Sequence, residues 1–249
     1  MTPEEIDRAA SALVGARKGS LIASLPADAT PQSEGEAYEI QDAVIAKLGE
    51  KIGGWKVGLS PLGGHFAAPI FASMVVPSPA RLPAKNFKLI AIECEIGFRF
   101  NHALPARPRA YTREEVLAAA SLHPTIEVVD SRYQDFRSVD RLLALADNQN
   151  NGALVYGPAA ANWDGIDLAH PPITVTADGK PFADCTGLSA GTPIELLVAA
   201  AAHANRRGGV AAGTVITTGT HTGLVFTGPG AEIVADFGRL GRVEVSFPG

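Results

Sequence analysis

Cysteine is nearly absent from the 249-residue chain: Cys94 and Cys185 stand far apart and form no Cys-x-x-Cys pair. That excludes a disulfide framework and a thiolate zinc site, and it fits a reducing, cytoplasmic setting. Basic runs are missing as well. The formal net charge is -5, the pI is near 5.7, and no Lys/Arg block occurs, so neither nucleic acid nor an anionic membrane is an expected partner. No apolar stretch is long and unbroken enough to span a bilayer, and the opening MTPEEIDRAASALVGARKG lacks a basic-then-apolar leader pattern. Neither a P-loop nor a Gly-x-Gly-x-x-Gly turn between strand and helix is present, which removes a nucleotide site. What is there, 46% hydrophobic residues and 19% charged ones, suffices for one large core and describes a soluble protein that handles small molecules.

The first 52 residues read as a helical region. Thr2-Pro3-Glu4-Glu5 joins a capping residue, Pro at the first helical position and Glu at the third, and Ile6, Ala9, Ala10, Leu13 and Val14 follow at helical spacing. A second helix is expected from Glu34 to Leu48 with Gly49 as its stop. Residues 53–249 change character. GGWKVGLS and AAPIFASMVVPSPARLP are rich in Gly, Pro and β-formers, and strands are expected at 89–98 and in PTIEVVDSR, GALVYG, GTVITTGT, AEIVADFG and RVEVSF. Asp178-Gly179 reads as a hairpin turn, and Thr112/Glu115 and Thr192-Pro193/Glu195 each mark a helix start. Early helices followed by hairpin-linked strands imply an α+β fold around a largely antiparallel, curled sheet.

Within the strand IECEIGF, alternation puts Glu93 and Glu95 on one face and Ile92, Cys94 and Ile96 on the other. Glu127, in TIEVVDS, is a third carboxylate in an apolar strand. Burying ionised carboxylates together is costly unless a cation pairs with them, and an all-oxygen set without His or Cys suits Mg²⁺ or Mn²⁺. The pattern equally fits the wet face of an amphipathic strand, since spacing does not by itself bring Glu127 to the other two. Cys94, opposite the glutamates, reads as core, and His203 and His170 read as ordinary. Asp130 and Arg132 fit either a network orienting a metal ligand or a plain surface ion pair.

Taken in order, GWKVGLS, IECEIGF, IEVVDSR, ADNQNNGALVYG and TGTHTGL resemble the 2-keto-4-pentenoate hydratase / 4-oxalocrotonate decarboxylase group of the fumarylacetoacetate hydrolase superfamily, over residues 35–247. The resemblance implies a curled mixed β-sheet roll with flanking helices. It also implies Glu93, Glu95 and Glu127 as ligands of Mg²⁺ or Mn²⁺, Lys56 at the substrate site, Asn148 in the Ala-Asp-Asn segment, and Thr220 in a Thr-Gly-Thr segment that holds a substrate carboxylate. Trp55 stands where the group usually has arginine. His221, in the same Gly/Thr loop, is a candidate acid/base, with a structural hydrogen-bonded role as the alternative.

The activity implied first is hydration of a 2-hydroxy-2,4-dienoate to a 4-hydroxy-2-oxo acid. Alternatives are decarboxylation of a 4-oxalocrotonate-like diacid, hydrolysis of an acylpyruvate C–C bond, and a non-catalytic accessory subunit. The expected partners are a small 2-oxo acid and further copies of the chain, or a homologous enzyme subunit. The sequence departs from the group in one place: GGHFAAPIFASM carries no acid where hydratases have Pro-Asp-aromatic-Gly, and His65 is the candidate replacement proton donor there.

Overall fold

A computed structural model describes residues 1–60, 63–184 and 192–249; Cys185 lies outside them. The helices are α1 (Pro3–Lys18), α2 (Glu34–Leu48), α3 (Arg113–Ala119), α4 (Arg141–Ala146) and α5 (Pro193–Asn205). Thr2/Glu5, Thr112/Glu115 and Thr192/Glu195 form reciprocal capping boxes, each satisfying two backbone N–H groups that a helix start leaves open. Gly49, at φ 65°, ends α2 in the left-handed conformation that glycine adopts without strain.

The first eight strands are β1 (Ile52–Leu59), β2 (His65–Phe71), β3 (Val75–Pro77), β4 (Ala80–Arg81), β5 (Ala91–Phe100), β6 (Leu104–Pro105), β7 (Ala120–Val129) and β8 (Asn151–Tyr156). The remainder are β9 (Thr174–Ala177), β10 (Lys180–Ala183), β11 (Gly209–Val210), β12 (Val215–Thr220), β13 (Val225–Phe226), β14 (Glu232–Asp236) and β15 (Arg242–Ser246). Asp178-Gly179 makes the tight β9–β10 turn with both residues at positive φ, as a two-residue hairpin requires.

The main sheet runs β2-β1-β12-β5-β7-β8-β3, with β13 beside the start of β5. Within it β1/β12 and β3/β8 are parallel and the other pairs antiparallel. Its two edge strands, β2 and β3, are joined by the three residues Ala72–Met74, so the sheet must curl until its edges come together. A smaller sheet, β10-β9-β14-β15-β4, packs against its convex face.

The alternation of β5 divides the molecule. Ile92, Cys94, Ile96, Phe98 and Phe100 enter the main core with α5 and the second sheet, all at most 1% exposed. Glu93 and Glu95 face into the roll. A second apolar cluster joins α1 and α2 to α4, Phe71 and Tyr133, so the N-terminal helices rest on the rest of the chain through shared side chains. Among the described residues no helix is long and apolar enough to cross a membrane.

Candidate metal centre

Strand register assembles the site. The β5/β7 pairing sets Glu93 directly opposite Glu127 and Glu95 opposite Thr125. The β1/β12 pairing sets Lys56 beside Thr217, and β12 in turn lies against β5. One carboxylate oxygen from each of Glu93, Glu95 and Glu127 lies within 4.8 Å of the others. Glu95 and Glu127 are fully buried, whereas the Glu93 side chain keeps 14% of its surface.

Each buried carboxylate is held by one oxygen. Glu127 Oε1 accepts from Lys56 Nζ at 3.0 Å and from Asn151 Nδ2 at 3.1 Å, and Lys56 also donates to Glu93 Oε2 at 3.1 Å. Glu95 Oε2 accepts from the Thr217 hydroxyl and, at 2.6 Å, from the Gly219 N–H. That amide is available because β12 bulges: Thr217 faces Gly97 and Thr220 faces Glu95, one extra residue on β12, with Gly219 at φ 93° in a conformation that side chains resist. Among the described residues the remaining oxygens, Glu95 Oε1 and Glu127 Oε2, are buried without a partner.

Three carboxylates face a single ammonium here, and two oxygens lack donors. Burial, then Glu127 and Glu93, push the Glu95 carboxyl above the usual carboxylate range; burial does the same to Glu127 against the pull of Lys56. For Lys56 burial acts downward, but the carboxylates, Glu127 first, outweigh it and the net shift is upward. The deficit is of positive charge, and the orphaned atoms are hard oxygen donors. A divalent oxygen-seeking cation fits this set, with Glu93, Glu95 and Glu127 as the groups able to hold it.

The other sequence candidates are placed as follows. Asn148 is buried at the end of α4, and among the described residues its Oδ1 has no partner; it lines a cavity of about 220 Å³ together with Asn151, Arg17 and Arg132. Asn148, Gln149 and Asn150 all have positive φ, a strained run that sets the start of β8. Thr220 is half-buried and its hydroxyl donates to the Gly223 carbonyl at 3.2 Å. His221 is buried with Nε2 3.0 Å from the Leu168 carbonyl, and burial lowers its imidazole against that carbonyl's opposing effect. His65, opposite Leu59 at the exposed start of β2, stands by alternation on the face away from Lys56, beside a separate cavity lined by Trp163 and Ile194. His203 packs against the rings of Tyr38 and Trp55.

Asp130 and Arg132 do pair, at 3.7 Å, but in a buried site and not at the surface. Asp130 also accepts from the Lys88 and Leu89 amides, and Arg132, 2% exposed, grips Asp147 through Nε at 2.6 Å and 2.8 Å. Arg132 Nη1 also reaches the Asn151 carbonyl, so the network ends on the residue whose side-chain amide holds Glu127. Asn151, Thr217 and Gly219 are contributors that composition and spacing did not single out; each sits inside or beside a motif segment, but only strand register shows that its donor reaches a glutamate.

Residues 64–247 match the family described as fumarylacetoacetate (FAA) hydrolase, C-terminal. A 4-oxalocrotonate decarboxylase of Pseudomonas putida is 28% identical over 229 residues, which is 85% of this chain and 84% of that protein. Another from a Pseudomonas species is 28% identical over 249 residues, 91% of this chain and 94% of the relative. Among solved structures, 4-oxalocrotonate decarboxylase from Pseudomonas putida G7, complexed with magnesium and adipate, superposes with a TM-score of 0.82 at 24% identity, covering 99% of this chain and 98% of that one. A fumarylpyruvate hydrolase from Pseudomonas aeruginosa, in complex with Mn²⁺ and pyruvate, gives a TM-score of 0.53 at 16% identity, over 78% of this chain and 88% of that one. These two structures share the curled fold.

Proposed function

Because the chain belongs to the fumarylacetoacetate hydrolase family, we propose that it is a divalent-metal-dependent decarboxylase of a 4-oxalocrotonate-like 2-oxo diacid. The carrying observation is the wall beside Lys56. On β2 its cross-strand partner is Ala68, and the next residue on that face is Ile70, which packs with Leu154 and Val215 and is fully buried. The lysine therefore has no acid on that strand to share proton transfer.

The count of proton donors favours decarboxylation. Hydration requires one group to activate water and another to protonate carbon, whereas loss of CO₂ requires an electron sink and one proton. The C–C bond to the far carboxyl breaks, its electron pair passes along the conjugated chain to the 2-oxygen, CO₂ leaves neutral, and one proton completes the 2-hydroxydienoate. When bound, Mg²⁺ or Mn²⁺ supplies a Lewis acid for charge growing on a 2-oxo oxygen. Lys56, held as an ammonium by Glu93 and Glu127, donates the proton. Thr217 and Gly219 fix one oxygen of Glu95, and Asn151 with Lys56 fixes one of Glu127, so both side chains are set before substrate arrives. The similarity to decarboxylases across most of the chain supports the same reading.

Hydration, the activity put first by the motifs, is decided in the same experiment. Metal-stripped protein is given 4-oxalocrotonate and, separately, 2-hydroxypenta-2,4-dienoate, with and without Mg²⁺. Metal-dependent CO₂ release from the diacid is expected. Gain of water by the dienoate with no CO₂ from the diacid would replace this reading with hydration.

A further inference from the structure

Beyond the triad, Arg137 lies beside the start of β5 and, among the described residues, has no carboxylate partner. We propose that Arg137, seated over Phe226, binds the carboxylate at the far end of the substrate and so selects diacids over mono-acids. The proposal rests on the decarboxylase reading for its substrate class, but its binding test does not need turnover.

Strand β13 lies along the first residues of β5, with Val225 opposite Ile92 and Phe226 opposite Ala91. Alternation puts Ala91, and with it Phe226, on the same face as Glu93. Phe226 is thus a diagonal cross-strand neighbour of Glu93, a relation that separates side-chain origins by about 7–8 Å. At 39% exposed it is one of two large apolar side chains left uncovered among the described residues. The Arg137 guanidinium lies 4.7 Å from the centre of this ring and 5.9 Å from that of Phe136, and the two ring centres are 6.1 Å apart. A cation held on an aromatic face keeps its in-plane N–H donors free for a planar anion.

The segment carrying Arg137 is anchored at both ends. Asp130, Ser131 and Arg132 are buried at its root, and Asp140 caps α4 at its far end by accepting from the Leu142 amide. Its other arginine is committed: Arg132 is bound to Asp147. Among the described residues no carboxylate is paired with Arg137, which meets only the two aromatic rings.

Charge and length both fit a diacid. Three carboxylates offset by Lys56 and a divalent ion leave no positive charge for a substrate's second carboxylate, and Arg137 supplies it at the rim. The five carbon–carbon bonds of a six-carbon diacid span about 6 Å, commensurate with the step from Glu93 to Phe226. Because the far carboxylate departs as neutral CO₂, its ion pair with Arg137 is strongest in the bound substrate and fades as the bond breaks. The contact therefore governs binding and selection and contributes nothing to the chemical step.

The test compares wild type, Arg137→Gln, Arg137→Lys and Phe226→Leu, each with Mg²⁺ present. Calorimetry measures binding of a saturated six-carbon dicarboxylate and of the six-carbon monocarboxylate. Arg137→Gln is expected to weaken the dicarboxylate about tenfold or more while leaving the monocarboxylate unchanged; Arg137→Lys restores part of the loss, and Phe226→Leu shows a smaller loss of the same sign. In turnover, Arg137→Gln raises KM for the diacid without lowering kcat. Equal losses for both ligands, no loss for either, or a change confined to oligomeric state would overturn the proposal. Absence of CO₂ from the wild type would instead remove the decarboxylase reading, and the binding comparison would still decide the role of Arg137.

Discussion

Lys56 Nζ bridges Glu93 and Glu127, at 3.1 Å and 3.0 Å, across the pair of strands that sets these two glutamates face to face. One ammonium thus stands where three carboxylates converge, and its removal separates metal binding from proton delivery. Lys56→Met is expected to lower CO₂ release by at least about a hundredfold, while Mg²⁺ affinity, read by calorimetry, is retained or tightened because a competing cation is gone. Glu93→Ala should lose metal binding and activity together.

The metal-free protein should lose stability as pH rises. The raised Glu95 and Glu127 carboxyls keep protons in the fold that the unfolded chain releases above its ordinary value of 4.5. The unfolded state therefore binds fewer protons over that window and stability falls with pH. Lys56, raised in the fold, stays charged in both states there and adds no slope. Melting curves between pH 5 and pH 8 (about the neutral range in which these groups matter) should show a falling Tm, reduced in Glu95→Gln and abolished by saturating Mg²⁺. A Tm that rises with pH in metal-free protein would contradict this account.

His203 acts on the acid side. Burial first, then Arg207 and Arg206, push its imidazole down to about 4 from 6.5. Its stabilising contribution is complete above 6.5 and is lost as pH falls toward 4, since the unfolded chain takes up a proton that the fold refuses. The loss is on the order of 3 kcal/mol at most. His203→Phe, which keeps a ring against Tyr38 and Trp55, should flatten this limb of a denaturation series run across that window.

Arg132→Leu leaves Asp147 buried with the backbone N–H of residue 132 and, as its remaining cation, Arg17 at 3.5 Å. Breaking such a pair costs about 3–5 kcal/mol, and urea unfolding should register it. Asn151, whose carbonyl Arg132 also holds, then loses its support, so weaker Mg²⁺ binding is expected in the same variant. Replacing Asp147 with leucine as well should recover much of the stability and little of the metal affinity.

Local chemistry made part of this molecule legible in advance. Capping boxes and the Gly49 stop located four helix ends because each signal lies within four residues of the end it marks. The Glu-x-Glu strand declared its two faces because alternation is a property of one strand. The convergence of Glu127 on Glu93 is a matter of register between strands, and spacing could not supply it. The burial of Lys56 has the same origin: it follows a Gly-Gly turn that reads as surface, and only the parallel β1/β12 pairing puts it inside. Asn151, Thr217 and Gly219 were missed because amides, hydroxyls and backbone N–H groups occur everywhere, and only a bulge or a partner strand gives them direction. For Asp130 and Arg132 the sequence fits two readings equally, and burial removes the surface one.

The pairing of β1 with β12 also orders events in time. Lys56 comes early in the chain, yet its neighbour Thr217, and the Gly219 amide that steadies Glu95, are synthesised long after it. A nascent chain that ends before residue 215 already carries all three glutamates but neither donor to Glu95. Contacts between such distant segments form late. Glu95 can therefore be steadied only once β12 has been made, and a ribosome-bound fragment that stops short of it should hold the ion less tightly: metal capture would report that this strand has arrived.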